Sequence, residues 1–213
     1  MQNNPSQGFL AVPASGKGRG VLVLHPWWGL NDTIKSVCTR FSQEGFIAYA
    51  PDLYHGKLAT TIPQAEKLSS ALDENQAKKD IAEAVDFLCQ RLAPEVQGIA
   101  VIGFSLGAYF ALDVSVSDPE RVWAVVLFYG SGPGDFSKAK ASYLGHFAEN
   151  DDYEPVEYVD GLEVGLRKAG RPVTFYHYPG TGHWFCEPDR VGAYNPQAAE
   201  LAWQRTLEFL KEN

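Results

Sequence analysis

A serine hydroxyl is a weak nucleophile until a base takes its proton, and the base keeps its orientation only when an acid holds its other side. The 213-residue sequence offers the first of these groups in Val101-Ile102-Gly103-Phe104-Ser105-Leu106-Gly107-Ala108. The G-x-S-x-G spacing suits a sharp strand-to-helix turn with Ser105 at its apex, in strained backbone geometry, its oxygen pointing out above a sheet. Gly103 and Gly107 would let neighbouring backbone approach. The N-terminus of the helix that follows would favour developing negative charge. The bland alternative is a strand–helix turn that merely uses small residues. The flanks speak for the first reading: an apolar run ends at Phe104 and a helical pattern begins at Leu106.

The base expected for Ser105 is His183, in Gly180-Thr181-Gly182-His183-Trp184-Phe185, a glycine-rich loop after the last strand pattern. In a chain built this way the order is serine, acid, histidine. His25, His55 and His146 stand in the wrong order or on strand ends, and His177 lies inside a strand pattern. The acid should follow a strand between Ser105 and His183. Glu149, Asp151 and Asp152 all do so, and residue types alone do not separate them.

These groups need a scaffold, and the patterning describes one. Short β-branched runs alternate with helical stretches, which predicts βαβ units and a mostly parallel sheet flanked by helices. Strands are expected over 8–12, 21–25, 47–50, 99–104, 122–128, 143–147 and 173–178. Helices are expected over 32–44, a short piece near 64–72, 76–92, 106–116, 155–169 and 196–211. In the third of these Ile81, Val85, Leu88 and Leu92 share a face; in the last Ala199, Trp203, Leu207 and Leu210 do. No repeat or linker divides the chain, so one domain over 1–213 is expected.

Composition excludes more than it selects. Hydrophobic residues make up 45% and charged residues 21%, an ordinary globular balance. A net charge of -8 without clustered basic residues argues against nucleic acid as a partner. The three cysteines, Cys38, Cys89 and Cys186, form neither a C-x-x-C nor an even set, so no disulfide framework is expected. No metal-ligand spacing occurs, and glycines 130, 132 and 134 lack the Lys-Ser or Lys-Thr of a phosphate loop. No apolar run could span a bilayer, and the start, residues 1–7, lacks the apolar core of a signal peptide. The expectation is a cytoplasmic protein, a monomer or small homo-oligomer, without cofactor or metal, acting on a small molecule.

Beyond the elbow, the chain resembles the dienelactone hydrolase family over nearly its whole length. The matching stretches are Gly20-Val21-Leu22-Val23-Leu24-His25, Trp28-Gly29-Leu30-Asn31, Pro51-Asp52-Leu53-Tyr54, the elbow itself, and Tyr178-Pro179-Gly180-Thr181-Gly182-His183-Trp184-Phe185. The resemblance implies an α/β-hydrolase fold without a large cap domain. It also implies cleavage of an ester or lactone through an acyl-enzyme. The family's acidic stretch, Gly-Glu-x-Asp-x-x-x-Pro, laid on residues 148–155, selects Asp151, with Asp152 next. The family's namesake has cysteine where this chain has Ser105, and a glutamate where it has Pro26, which can neither accept nor relay a proton. A conventional serine triad of Ser105, Asp151 and His183 follows.

Such a triad needs two N–H donors for the oxyanion. One belongs to the residue after the nucleophile, Leu106; the resemblance assigns the other to Trp27. Trp28, Tyr129 and Trp184 are expected to line an apolar substrate pocket, with core packing as the alternative. The namesake holds an anionic lactone with arginines, one of them four residues past its histidine. Here that position is Glu187, with Asp189 nearby, which implies a preference for neutral esters over carboxylates. Two other functions share these features: a non-catalytic small-molecule binding protein on the same scaffold, and an acyltransferase using the same triad.

Overall fold

The computed structural model describes residues 7–96 and 98–213. Apart from Gln7, the polar start read as lacking a leader lies outside them. Seven strands, β1 (Phe9–Ala11), β2 (Gly20–Leu24), β3 (Ile47–Ala50), β4 (Ile99–Phe104), β5 (Val122–Phe128), β6 (Ser142–Ala148) and β7 (Val173–Tyr178), form a sheet in the order β1-β3-β2-β4-β5-β6-β7. β1 runs antiparallel to β3, and the pairs β2–β3, β5–β6 and β6–β7 are parallel. Six helices flank the strands: α1 (Asp32–Gln43), α2 (Ile62–Ser70), α3 (Glu74–Cys89), α4 (Leu106–Ser117), α5 (Val156–Lys168) and α6 (Pro196–Glu212). Among the described residues no large cap domain is present.

Continuous apolar runs make the inner strands. Every residue of β2, β3 and β4 is buried, as a strand covered on both faces requires. Helix ends follow local chemistry. The Asn31 side chain accepts the Ile34 N–H at 3.1 Å to start α1, and Gly45, with φ of 91°, follows its end. The third helix starts at Glu74, not at 76, because the Asp73 carboxylate caps the N–H groups of Asn75 and Gln76. It ends at Cys89, so Leu92 lies beyond the face it was expected to share.

Contacts divide the chain into two compact units between Val101 and Ile102, inside β4. In the first, His25 is wholly buried and uses both ring nitrogens. Nδ1–H donates to the Pro26 carbonyl at 2.7 Å, and Nε2 accepts the Leu53 N–H at 3.1 Å. Asp52 accepts the N–H groups of Tyr54 at 3.0 Å and Gly56 at 2.6 Å. The Pro51-Asp52-Leu53-Tyr54 motif is thus a loop clasp that ties to the segment after β2.

In the second unit the buried His146 bonds the Tyr178 hydroxyl at 2.8 Å and the Thr206 hydroxyl at 3.0 Å. Burial pushes its pKa down to about 3. The folded value lies below the unfolded one, so stability is full above about pH 6.5 and falls as the unfolded chain takes up the proton. Lowering the pH from 7.5 to 5 should cost about 2 kcal/mol at this site. Urea unfolding at the two pH values measures this. Other buried groups, Glu187 among them, also titrate over this range, so the readout is the stability difference between the parent and His146→Asn. It should shift by about 2 kcal/mol against the parent from pH 7.5 to pH 5, and a difference independent of pH would refute it.

Candidate active site

Ser105 sits at the turn from β4 into α4 with φ of 49° and ψ of -112°, a conformation that L residues rarely adopt. Its N–H donates to the Phe128 carbonyl at 2.9 Å and its carbonyl accepts the Ala108 N–H at 2.8 Å. The glycines are obligatory for space. A Cβ on Gly103 would press on the Gly107 carbonyl and fall 2.5 Å from Ala108 Cα. One on Gly130, at the end of β5, would fall 2.6 Å from the Ser105 carbonyl oxygen. Helix α4 is apolar around most of its circumference and buried, so it fixes this turn firmly.

The acid and histidine segments leave parallel strands at one level, because Ala148 of β6 is in register with Tyr178 of β7. The Glu149 N–H donates to the Tyr178 carbonyl at 3.2 Å, and the Asn150 N–H to that of Thr181 at 3.1 Å. The Glu149 carboxylate accepts the Gly180 N–H at 2.8 Å. Asp151 is held by its own loop, Oδ1 accepting the N–H groups of Tyr153 and Glu154, both at 2.9 Å.

Of the three carboxylates, Asp151 reaches the histidine. His183 Nδ1 lies 2.8 Å from Asp151 Oδ2 and 2.9 Å from Oδ1. A carboxylate only accepts, so Nδ1 carries the proton and Nε2 presents its lone pair. Nε2 lies 2.9 Å from Ser105 Oγ, within reach of the hydroxyl proton. The His183 and Asp151 side chains are each only 5% exposed, whereas Asp152 and Glu149 face solvent. All three members lie at the C-terminal ends of strands, where open α/β sheets bind their ligands.

The expected pocket aromatics separate. Trp28 is 2% exposed and Tyr129 is wholly buried, so both are packing groups. Tyr129 packs behind the site, its ring 5.0 Å from His183 and 5.6 Å from Phe185. Trp184 is part-exposed, 5.1 Å from the His183 ring, and adopts φ of 66°. Trp27, also part-exposed, lies in the segment after β2 with its ring 5.4 Å from that of Trp28.

Glu187 departs most from expectation. It is not a surface charge facing an incoming anion but a fully buried group that accepts the Tyr129 hydroxyl proton at 2.9 Å. Its second oxygen finds no partner among the described residues, and burial pushes its pKa up to about 8. A near-neutral carboxyl is the cheaper occupant of such a place. Sequence reasoning also passed over Glu154. Its carboxylate accepts the Ser131 N–H at 3.0 Å and the Ser131 hydroxyl, joining the acid loop to the segment after β5. Burial raises its pKa, against the pull of those two bonds. Glu154 carries no local motif, so no signal in the sequence marked it; the resemblance marked the place of Glu187 but not its burial. Among the described residues no group of three or more His, Cys, Asp or Glu is placed to hold a metal ion, and no helix is long and apolar enough to cross a membrane.

A mostly parallel sheet with a serine at a strained strand–helix turn, and an acid and a histidine on later loops, defines an α/β-hydrolase. The chain belongs to the dienelactone hydrolase family, whose sequence profile matches residues 6–213. It is 35% identical to Protein usf of Aquifex pyrophilus, covering 97% of this chain and 93% of that one. It is 31% identical to an Aquifex aeolicus protein provisionally named carboxymethylenebutenolidase, covering 96% and 92%. A Klebsiella pneumoniae structure provisionally assigned as a dienelactone hydrolase superposes with a TM-score of 0.86 at 24% identity, covering 98% and 96%.

Proposed function

We propose that this protein is a serine hydrolase that cleaves a carboxylic ester or lactone through an acyl-enzyme. The observation that carries the reading is the unbroken relay from Ser105 Oγ through His183 to Asp151, with contacts of 2.9 and 2.8 Å. Ser105 Oγ attacks the carbonyl carbon while His183 Nε2 takes its proton. The tetrahedral intermediate collapses, the ester C–O bond breaks, and the proton passes to the leaving oxygen. Water, deprotonated by the same nitrogen, attacks the acyl carbon; the acid leaves and Ser105 regains its proton. Asp151 fixes the tautomer and stabilises the imidazolium in both halves.

The first N–H groups of a helix have no acceptor within it. That of Leu106, next to the nucleophile, is therefore a natural oxyanion donor. Sequence resemblance supplies Trp27 as the second. Each such donor is worth about 100- to 1000-fold in rate. Among the aromatics, Trp184 remains a substrate contact in this reading.

The deciding experiment sets two reagents side by side. A fluorophosphonate should label Ser105 and abolish ester hydrolysis, while iodoacetamide should leave activity largely intact. Alkylation needs thiolate. Burial pushes the Cys38 thiol up to about 12, and Cys186 is only part-exposed. Rapid inactivation by iodoacetamide at neutral pH, with no phosphonate adduct at Ser105, would overturn the assignment.

A further inference from the structure

Beside the serine–histidine–aspartate group lies a cavity of about 740 Å³. Its walls are Tyr109 on α4, the segment 131–136 after β5, and residues 153 and 154 with one face of α5. It adjoins the site at two points. Tyr153 lines it and holds its ring 5.2 Å from that of His183. Ser131 lines it directly after Gly130, the glycine that the Ser105 backbone approaches.

The helix keeps this space open at the expense of its own stability. Glu157, Tyr158, Gly161, Leu162 and Gly165 recur at helical spacing along the cavity face of α5. Glycine inside a helix is markedly worse than alanine. α5 nevertheless carries two, one turn apart. Close packing does not require Gly161, since a Cβ there would meet no heavy atom within 4 Å. A larger side chain at this position would stand in the cavity.

The lining is chemically selective. Tyr109, Phe136, Tyr153 and Tyr158 contribute aromatic rings, Glu154 and Glu157 contribute carboxylates, and no lysine, arginine or histidine takes part. Tyr153 and Tyr158, 45% and 66% exposed, form an open rim. Aromatic faces beside carboxylates, with no cationic side chain in the lining, attract a cation and repel an anion. Resting on the serine-hydrolase reading above, we propose that this cavity is a specificity pocket that seats the ammonium group of a cationic ester. Cationic esters then outrank neutral ones of the same shape, and anionic ones come last. The selection against anions that the sequence ascribed to Glu187 is made here instead.

The test uses isosteric pairs with the charge on either side of the ester. Acetylcholine is compared with 3,3-dimethylbutyl acetate, and glycine-betaine ethyl ester with ethyl 3,3-dimethylbutanoate, as kcat/KM at low salt. In at least one pair the cation should win by about tenfold or more. Glu157→Gln should reduce that ratio several-fold. Gly161→Leu should abolish it while the melting temperature holds or rises, because leucine is the better helix former. Ratios within twofold in both pairs would overturn the proposal, as would a Gly161→Leu variant that keeps the parent's ratio. Calorimetry of the same four esters on Ser105→Ala protein separates binding from turnover. Tighter binding of a cation upholds the pocket even where the hydrolase reading fails, and equal binding within each pair sinks it.

Discussion

Replacing Ser105 by alanine should lower kcat for a responsive ester by a factor on the order of 10⁴ or more, and His183→Ala should do the same. The two losses should not add in the double variant, because attack and proton removal are one event. Stability should move little with Ser105→Ala. The substitution removes one oxygen, leaves the Phe128 and Ala108 backbone bonds in place, and asks alanine to hold the same φ of 49°. His183→Ala removes a bond to a carboxylate that two backbone N–H groups continue to satisfy. Single-turnover kinetics with p-nitrophenyl butyrate, alongside thermal unfolding, measure both. A folded variant with activity within tenfold of the parent would sink the nucleophile or the base.

The elbow was legible because its chemistry is local. The apolar run 99–104, two glycines and a helical pattern lie within about a dozen residues, and the steric reason for the glycines is met within the same segment at Ala108. The strands were legible for a similar reason, since apolar β-branched runs closed by turn residues have few other uses. What escaped is non-local. Tyr129 was read as a pocket aromatic, because an aromatic next to a site looks alike whether it faces ligand or core. It is buried, and its hydroxyl bonds Glu187, 58 residues away in sequence. Glu187 was read as a surface charge because acids seldom sit in cores unless paired. His25 was set aside for its position in the chain, yet it joins the segments after β2 and β3 through bonds that no spacing rule encodes.

The choice among Glu149, Asp151 and Asp152 was open to residue types for the same reason, and it yields the other large effect. Asp151→Asn should lower kcat by roughly 10⁴-fold, whereas Asp152→Asn should stay within a few-fold of the parent. The difference is one of tautomer. An asparagine amide that turns its NH₂ toward His183 Nδ1 makes that nitrogen the acceptor, places the ring proton on Nε2, and leaves Ser105 without a base. The loop favours this outcome. The Tyr153 and Glu154 N–H groups both bond Oδ1, so an asparagine here keeps its carbonyl oxygen toward them and directs its NH₂ at the imidazole. Asp152 faces solvent and has no such role. The pH profile separates the two further: the loss in Asp151→Asn should shrink at high pH, where hydroxide substitutes for the missing base. Equal losses for both variants, or a larger one for Asp152→Asn, would move the acid off Asp151.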